Sequence, residues 1–468
     1  MGDYVYATTS DGGIFKYKNV GCECKVDKIH NSYGMPEYFL KVMALEDKVF
    51  TYRHYFGSGA VKVNTASNAK YSPISDLPMS GELFDFVNKC ESYNKSQERI
   101  PVLRKDKMSF ERYAEEVASF FEKYGCLVPV PEEFVTFDMG EVKNLLDRMY
   151  VLIGLIAAVS EAQRNYTKIF YYTMFLALKP QAVLNCKKEN GECIYSISSV
   201  NPYYAENCGQ IRIRDEKVKP ISATDLLNYP DAIIHGDIIA TTDEYEENGD
   251  FIKHATSDED YLYYPVTDYL EDDGAIPVFL RKSAYLGYLD GKDLSASVAH
   301  LRINYLYVHS DASNRINKLL IDFIFHFHNE IMEIADLSNY NFEPIKLKED
   351  INLNECASFD EKYKNTLLEL ARATIKSEID HVVSVIHPVY NPEEMMPGWH
   401  IPDLFTAIYY GIFLNNSSQK IFKVCANPSC NRLFDVESSN YKKRYCDPSC
   451  QIAAAQRLYR RKQKQNNS

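Results

Sequence analysis

Two cysteine pairs near the C-terminus constrain this chain more than any other feature. The sequence reads Cys425-Ala-Asn-Pro-Ser-Cys430, then 15 residues, then Cys446-Asp-Pro-Ser-Cys450. Each pair can present two thiolates from one tight turn, and an intervening hairpin can bring the pairs together. Pro428 and Pro448 lie inside these turns, where a fixed backbone angle favours the bend. The spacing predicts one zinc ion held by Cys425, Cys430, Cys446 and Cys450. Four protein thiolates fill a tetrahedral shell, so this zinc is expected to be structural and not catalytic.

The second pair opens directly into good helix formers, from Gln451 through three alanines to Lys464. At ~100° per residue, Arg457, Arg460, Arg461 and Lys464 share one helix face. Ile452, Ala455 and Tyr459 share the opposite face, with Leu458 on its flank. The apolar side is expected to pack on the zinc hairpin and the cations to meet solvent. A zinc ion with four thiolates is net negative. Lys442, Lys443 and Arg444, just before Cys446, can offset that charge and leave a surplus. Residues 418–468 hold 11 Lys/Arg against 3 Asp/Glu, whereas the whole chain is −13. An acidic body with a basic tail is the pattern of a protein carrying one anion-seeking appendage.

The order of cysteine knuckle, hairpin and helix resembles the treble-clef class. It is most similar to the CGNR zinc finger, found at the C-terminus of bacterial proteins held to be transcriptional regulators. The matching residues are Cys425, Cys430, the strand Arg432-Leu433-Phe434-Asp435, Arg444-Tyr445-Cys446, Cys450 and the Arg-rich helix. Gln451-Ile452-Ala453 stands where that family carries Gly-Asn-Arg after its last cysteine. The resemblance covers about residues 421–464 and implies a nucleic-acid-binding role; no family is recognised for residues 1–415.

The remainder reads as a multi-domain α+β protein: a β-rich region over 1–90, a mixed body over 91–415, and the finger over 416–468. Tyr4 to Ala7 and Ile14 to Tyr17 flank Asp11-Gly12-Gly13, a hairpin signal. Val49 to Tyr55 is a further candidate strand, and Ser72 to Pro78 reads as loop. Residues 109–180 look helical. Ser109 can cap a helix that buries Phe110, Tyr113, Val117, Phe120, Phe121 and Tyr124, and Gly125 can end it. A second helix is expected from near Gly140. Short strands are expected at Tyr195 to Ser198, Gln210 to Arg214 and around Tyr285 to Gly291. Ser358 and Glu361 form a capping box. Pro402 can open a helix through Leu414, and Asn415 to Ser418 reads as a linker.

The N-terminus lacks a secretory signal pattern, and the apolar run between Arg148 and Glu161 falls short of the about 20 residues a bilayer demands. A cytoplasmic protein with no membrane partner is expected. Eight further cysteines read as small buried hydrophobes, with Cys22 and Cys24 the closest pair. Residues 231–273 hold 14 acids and one base, a solvated segment that could also contact the basic tail. No phosphate loop, dinucleotide fingerprint, HExxH or nucleophile elbow is found. His326 with Glu330, and His381 and His387, are weak candidates better read as structural, and His235-Gly236-Asp237 could sit in a functional loop, though three residues make a weak match. The favoured reading is nucleic-acid binding, DNA or RNA, by Lys442, Lys443, Arg444, Arg457, Arg460, Arg461 and Lys464. The alternatives are a structural or protein-interaction module, or an enzyme with a dispersed active site. The sequence leaves the oligomeric state open.

Overall fold

The computed structural model describes residues 5–7, 14–55, 61–63, 73–91, 109–161, 163–178, 181–199, 207–213, 216–222, 238–239, 320, 323, 332–333, 346–347, 353, 359–391, 395–417, 420–427, 429–437, 440 and 442–466. Helix and strand are mixed, in several sheets, and the chain forms two compact units. The first joins Met1–Tyr172, Gln181–Val200 and Ile375–Ser468. The second holds Thr173–Pro180 and Asn201–Thr374.

In the first unit, strand β1 is Val5–Ala7, β2 Ile14–His30, β3 Pro36–Tyr55 and β4 Val61–Val63. β2 and β3 form a long antiparallel hairpin from Ile14↔Tyr55 to His30↔Pro36, with a bulge at Val20/Gly21. β5 (Val135–Asp138), β6 (Val183–Lys187) and β7 (Cys193–Ser198) extend this sheet in the order β2-β3-β5-β6-β7, with β4 beside β3. Alternation aims one face inward. Leu40 and Val42, Val135 and Phe137, and Leu184 and Cys186 are all buried.

α1 is Gly81–Glu91, and α2, which packs on β2 and β3, is Phe110–Tyr124. The Ser109 side chain caps α2 by accepting from Arg112 N, and Gly125 ends it at φ 88°. The buried stripe is Tyr113, Ala114, Val117, Phe120, Phe121 and Tyr124, as the sequence predicts, with Phe110 half-buried. α3 (Met139–Ser160) is capped by Asp138 and buried on nearly every side, as a helix apolar all round must be. Its Arg148 is buried and donates from Nε to Glu378 Oε1 at 2.9 Å. α4 is Tyr166–Leu178. A Cβ at Gly154 would come 2.9 Å from the Tyr172 ring, so glycine permits α3 and that ring to meet closely.

α5 (Glu361–Val383) begins in the second unit and ends in the first. Its cap is Asp360, whose Oδ1 accepts from Lys362 N and Tyr363 N; the predicted Ser358 lies outside the described residues. β13 (His387–Asn391) and β14 (Met396–His400) form a hairpin, and β1 pairs with β14 from Val5↔His400 to Ala7↔Gly398. The expected hairpin between β1 and β2 is therefore replaced by a long-range pairing. α6 (Leu404–Ser417) is capped by Asp403 and runs through most of the expected linker. Residues 73–78 also depart from a plain loop, since Pro73–Asp76 makes a short 3-10 turn.

In the second unit, β8 (Asn207–Ile213) and β9 (Glu216–Ser222) form a hairpin, with β10 (Ile238–Ile239) on β8. β11 (Met332–Glu333) pairs with β12 (Lys346–Leu347), and the Phe323 ring meets Phe359 edge-on. The sequence candidates around Tyr285, His235 and His326 lie outside the described residues, as does segment 231–273 apart from β10. No helix among the described residues is long and apolar enough to cross a membrane.

Candidate metal centre

The C-terminal hairpin pairs β15 (Lys420–Val424) with β16 (Leu433–Glu437), from Lys420↔Glu437 to Val424↔Leu433. Both faces are covered: Phe422, Val424 and Leu433 are buried on one, and Phe434 and Val436 on the other. At its tip the chain folds back as the first knuckle. Cys425 N donates to Arg432 O at 2.9 Å, and Cys430 N to Asn427 O at 2.8 Å. The turn closes through Asn431 at φ 44°, a left-handed backbone that Asn tolerates better than most residues.

The second knuckle is the start of α7 (Pro448–Asn466). Asp447 caps that helix: its Oδ1 accepts from Ser449 N at 2.7 Å. Those Ser449 hydrogen bonds also hold the Asp447 carboxyl below its ordinary pKa. Ala426 N donates to Arg444 O at 2.8 Å and ties one knuckle to the other.

These bonds converge the four thiols. The sulfur atoms of Cys425, Cys430, Cys446 and Cys450 all lie within 4.8 Å of one another. Cys430 and Cys446 Sγ are 3.6 Å apart, and Cys446 and Cys450 Sγ 3.8 Å. Zn–S bonds of about 2.3 Å in a tetrahedron require sulfurs roughly 3.8 Å apart. The cluster fits zinc. Cys425 is fully buried and packs with Phe434 and Val436, while Tyr445 covers the cluster's edge. The hydrogen bond from Cys430 holds the Cys425 thiol down at about 5, and that same bond pushes Cys430 well above the thiol range. Burial pushes Cys446 up to about 12. A zinc ion bound by these residues would hold all four as thiolates.

A polar shell braces the knuckles. Arg457, on α7, donates from Nη1 to Asn427 Oδ1 at 2.7 Å and from Nη2 to Ser429 Oγ at 2.5 Å. This fixes the helix in the opposite sense to the sequence expectation. Ala454 and Arg457 turn inward, whereas Ile452 and Tyr459 are 59% and 64% exposed. The physical reason is at the inner face. Ala453 and Ala454 allow close approach, and the Arg457 guanidinium finds two oxygen acceptors on the first knuckle that an apolar ring could not use.

The finger is also fastened to its own unit. Tyr150 of α3 donates its hydroxyl to the Asn431 carbonyl, with Asn431 fully buried. Arg432 Nη2 lies 3.9 Å from Asp76 Oδ1. Asp76 in turn accepts from Lys123 Nζ and from the Tyr124 hydroxyl, each at 2.5 Å. A cleft of about 520 Å³ separates the Ser429–Leu433 turn from residues of α2 and the 3-10 turn.

Of the expected nucleic-acid residues, Lys442, Lys443, Arg444 and Arg460 are exposed. Lys443 Nζ sits 5.6 Å above the Phe434 ring. Arg461 and Lys464 lie on α7, with side chains outside the described set. Sequence reasoning missed Tyr150, Asp76, Asn427 and Asn431. Asn427, before Pro428, carried a turn signal; Tyr150 carried none. Cys22 and Cys24 place their sulfurs 3.7 Å apart, with no third ligand group among the described residues.

A knuckle, a hairpin and a helix holding four cysteines at zinc distance define a structural zinc-finger protein. Residues 422–463 match the CGNR zinc finger family, and the finger holds one structural Zn²⁺ at these four cysteines. No curated protein and no solved structure matches this chain.

Proposed function

We propose that this protein docks on nucleic acid through its finger, a treble-clef module spanning 416–468. Lys442, Lys443, Arg444 and Arg460 are its phosphate contacts, extended along α7 by Arg461 and Lys464. The observation that carries this reading is the exposed Lys442-Lys443-Arg444 run beside the second knuckle. It gives an acidic chain one cationic surface held rigid by zinc, the footprint that phosphates select. Arg457 is removed from the set because it binds the first knuckle. The resemblance to CGNR proteins adds the context of a bacterial transcriptional regulator in the cytoplasm.

A second reading has its own observation. The Tyr150–Asn431 and Arg432–Asp76 contacts make the finger a brace of the first unit. The two roles are compatible, since a braced finger presents its cations at a fixed place.

The test is fluorescence anisotropy with duplex DNA, single-stranded DNA and RNA across a salt series. Lys442→Glu/Lys443→Glu/Arg444→Glu is compared with the intact protein at equal zinc content. Salt-sensitive binding lost in the variant is the expected result. No binding by the zinc-loaded intact protein leaves the brace as the finger's role. The acidic segment 231–273 is proposed to compete for the same cations, so deleting residues 243–260 should tighten binding; unchanged affinity would remove that idea.

A further inference from the structure

Cys22 and Cys24 belong to neither the finger nor its braces. They stand at i and i+2 of β2, so alternation sends both side chains to one face of the strand, and α2 packs against it. Two steps along an antiparallel strand span about 6.8 Å, the outer limit for the Cα atoms of a disulfide. The bulge between Val20 and Gly21 lies just before the pair. A bulge adds local twist, and a strongly twisted strand is shorter. The two sulfurs meet at 3.7 Å. Side-chain rotation can close that gap to a bond of about 2.05 Å.

The two thiols differ in access. Cys22 is 1% exposed, and its thiol donates to the Phe121 carbonyl, in the last turn of α2, at 3.2 Å. Cys24 is half-buried. The hydrogen bond with Cys22, and then burial, push the Cys24 thiol above its ordinary range, so the reduced pair keeps its protons and exchanges slowly. We infer that Cys22 and Cys24 form a reversible redox site, closed to an intrachain disulfide by exchange with a small-molecule disulfide. The Cys24 sulfur attacks one sulfur of that molecule, releasing its first half and leaving a mixed disulfide. The Cys22 sulfur then attacks the Cys24 sulfur and expels the second half. The two departing thiolates take up the two protons that the protein thiols lose. One small disulfide is thus reduced to two thiols while the protein dithiol is oxidised by two electrons, and excess thiol reverses the exchange. Closure removes the proton that Cys22 gives to Phe121. That carbonyl keeps Gly125 N, but the last turn of α2 loses this hydrogen bond to β2. Lys123 and Tyr124 on the same turn hold Asp76, so the redox state of β2 reaches the cluster that faces Arg432.

The experiment equilibrates the full-length, zinc-loaded protein with glutathione disulfide, alkylates the remaining thiols and maps tryptic peptides by mass. Cleavage after Lys18 and Lys25 releases residues 19–25, whose only cysteines are Cys22 and Cys24. This peptide should lose two hydrogen atoms and take up no alkylating agent, while zinc content stays unchanged. Dithiothreitol should restore both thiols. Cys22→Ser should leave glutathione attached at Cys24, because the resolving sulfur is gone. Cys24→Ser should leave the covered Cys22 unmodified. Cys126→Ala, at a buried neighbouring thiol, should close as the parent does. Amide exchange over residues 119–125 should rise on closure. Alkylation of both cysteines in residues 19–25 of the folded, zinc-loaded protein, or a bridge from either to another peptide, would overturn the redox site. A closed bridge with unchanged exchange over residues 119–125 would overturn its link to α2.

Discussion

Asn431 concentrates the constraints on the finger. It closes the first knuckle in a left-handed conformation and lends its carbonyl to Tyr150 from a fully buried site. Tyr150→Phe leaves that carbonyl without its donor and should destabilise the protein by about 1–3 kcal/mol. Denaturant unfolding should show the loss, and metal analysis should still find one zinc. Arg457 supports the same knuckle from the other side through a two-pronged contact that lysine cannot copy. Groups that orient metal ligands typically cost about 10–100-fold in affinity when removed. Arg457→Lys should therefore release zinc faster to a competing chelator, whereas Arg460→Lys should not. Counting charge on a helical wheel placed Arg457 with the phosphate contacts, because a wheel records direction and not partners. The four cysteines were legible because their spacing is itself the geometry. Tyr150 was not, because nothing local marks a tyrosine in an apolar helix as a hydrogen-bond donor to residue 431.

Elements were legible where their signals are local. α2 was read with both ends because Ser109 and Gly125 act on their own helix. β1 was misread because its partner, β14, lies almost 400 residues away, and a Gly-Gly turn suggested the nearer one. β5 was missed within a helical stretch although Phe134-Val135-Thr136-Phe137 has strand composition. It is held by register with β3, from Val42↔Val135 to Phe39↔Asp138. At Asp76 three elements meet: the 3-10 turn, α2 and the finger. Burial pushes the Asp76 carboxyl up, but hydrogen bonds from Lys123 and Tyr124 and the charges of Lys123 and Arg432 outweigh it. The net pKa is lowered. A depressed folded-state pKa gives stability that is full above the unfolded carboxylate value, about 4, and lost as pH falls through the lower folded value. Asp76→Asn should remove that part of the acid limb in melting temperature against pH. Identical limbs in the two proteins would show that the cluster contributes nothing.

At the scale of the molecule, the finger is the last part of a unit that begins at the N-terminal sheet. α3 joins them, since it packs on β3, β5 and β6 of that sheet while its Tyr150 reaches the finger. A small four-cysteine module folds only as zinc binds, so its binding free energy is folding free energy. Here that energy has a route inward. Losing zinc frees the knuckle, and the Asn431 carbonyl and Arg432 guanidinium then leave Tyr150 and Asp76. A buried tyrosine hydroxyl and a half-buried carboxylate lose partners on the side of α3 and α2. Zinc removal by a chelator, or Cys446→Ser/Cys450→Ser, should therefore raise amide hydrogen exchange beyond residues 420–466, in α3 around Tyr150 and at the C-terminal end of α2. Tyr150→Phe severs one of the two contacts, so its α3 should respond less to chelation than that of the parent protein. Were the finger only tethered, exchange would rise over 420–466 alone, and the Tyr150 substitution would leave the chelator response unchanged. The distribution of exchange along α3 thus separates a finger that the body merely carries from one on which the body's own stability depends.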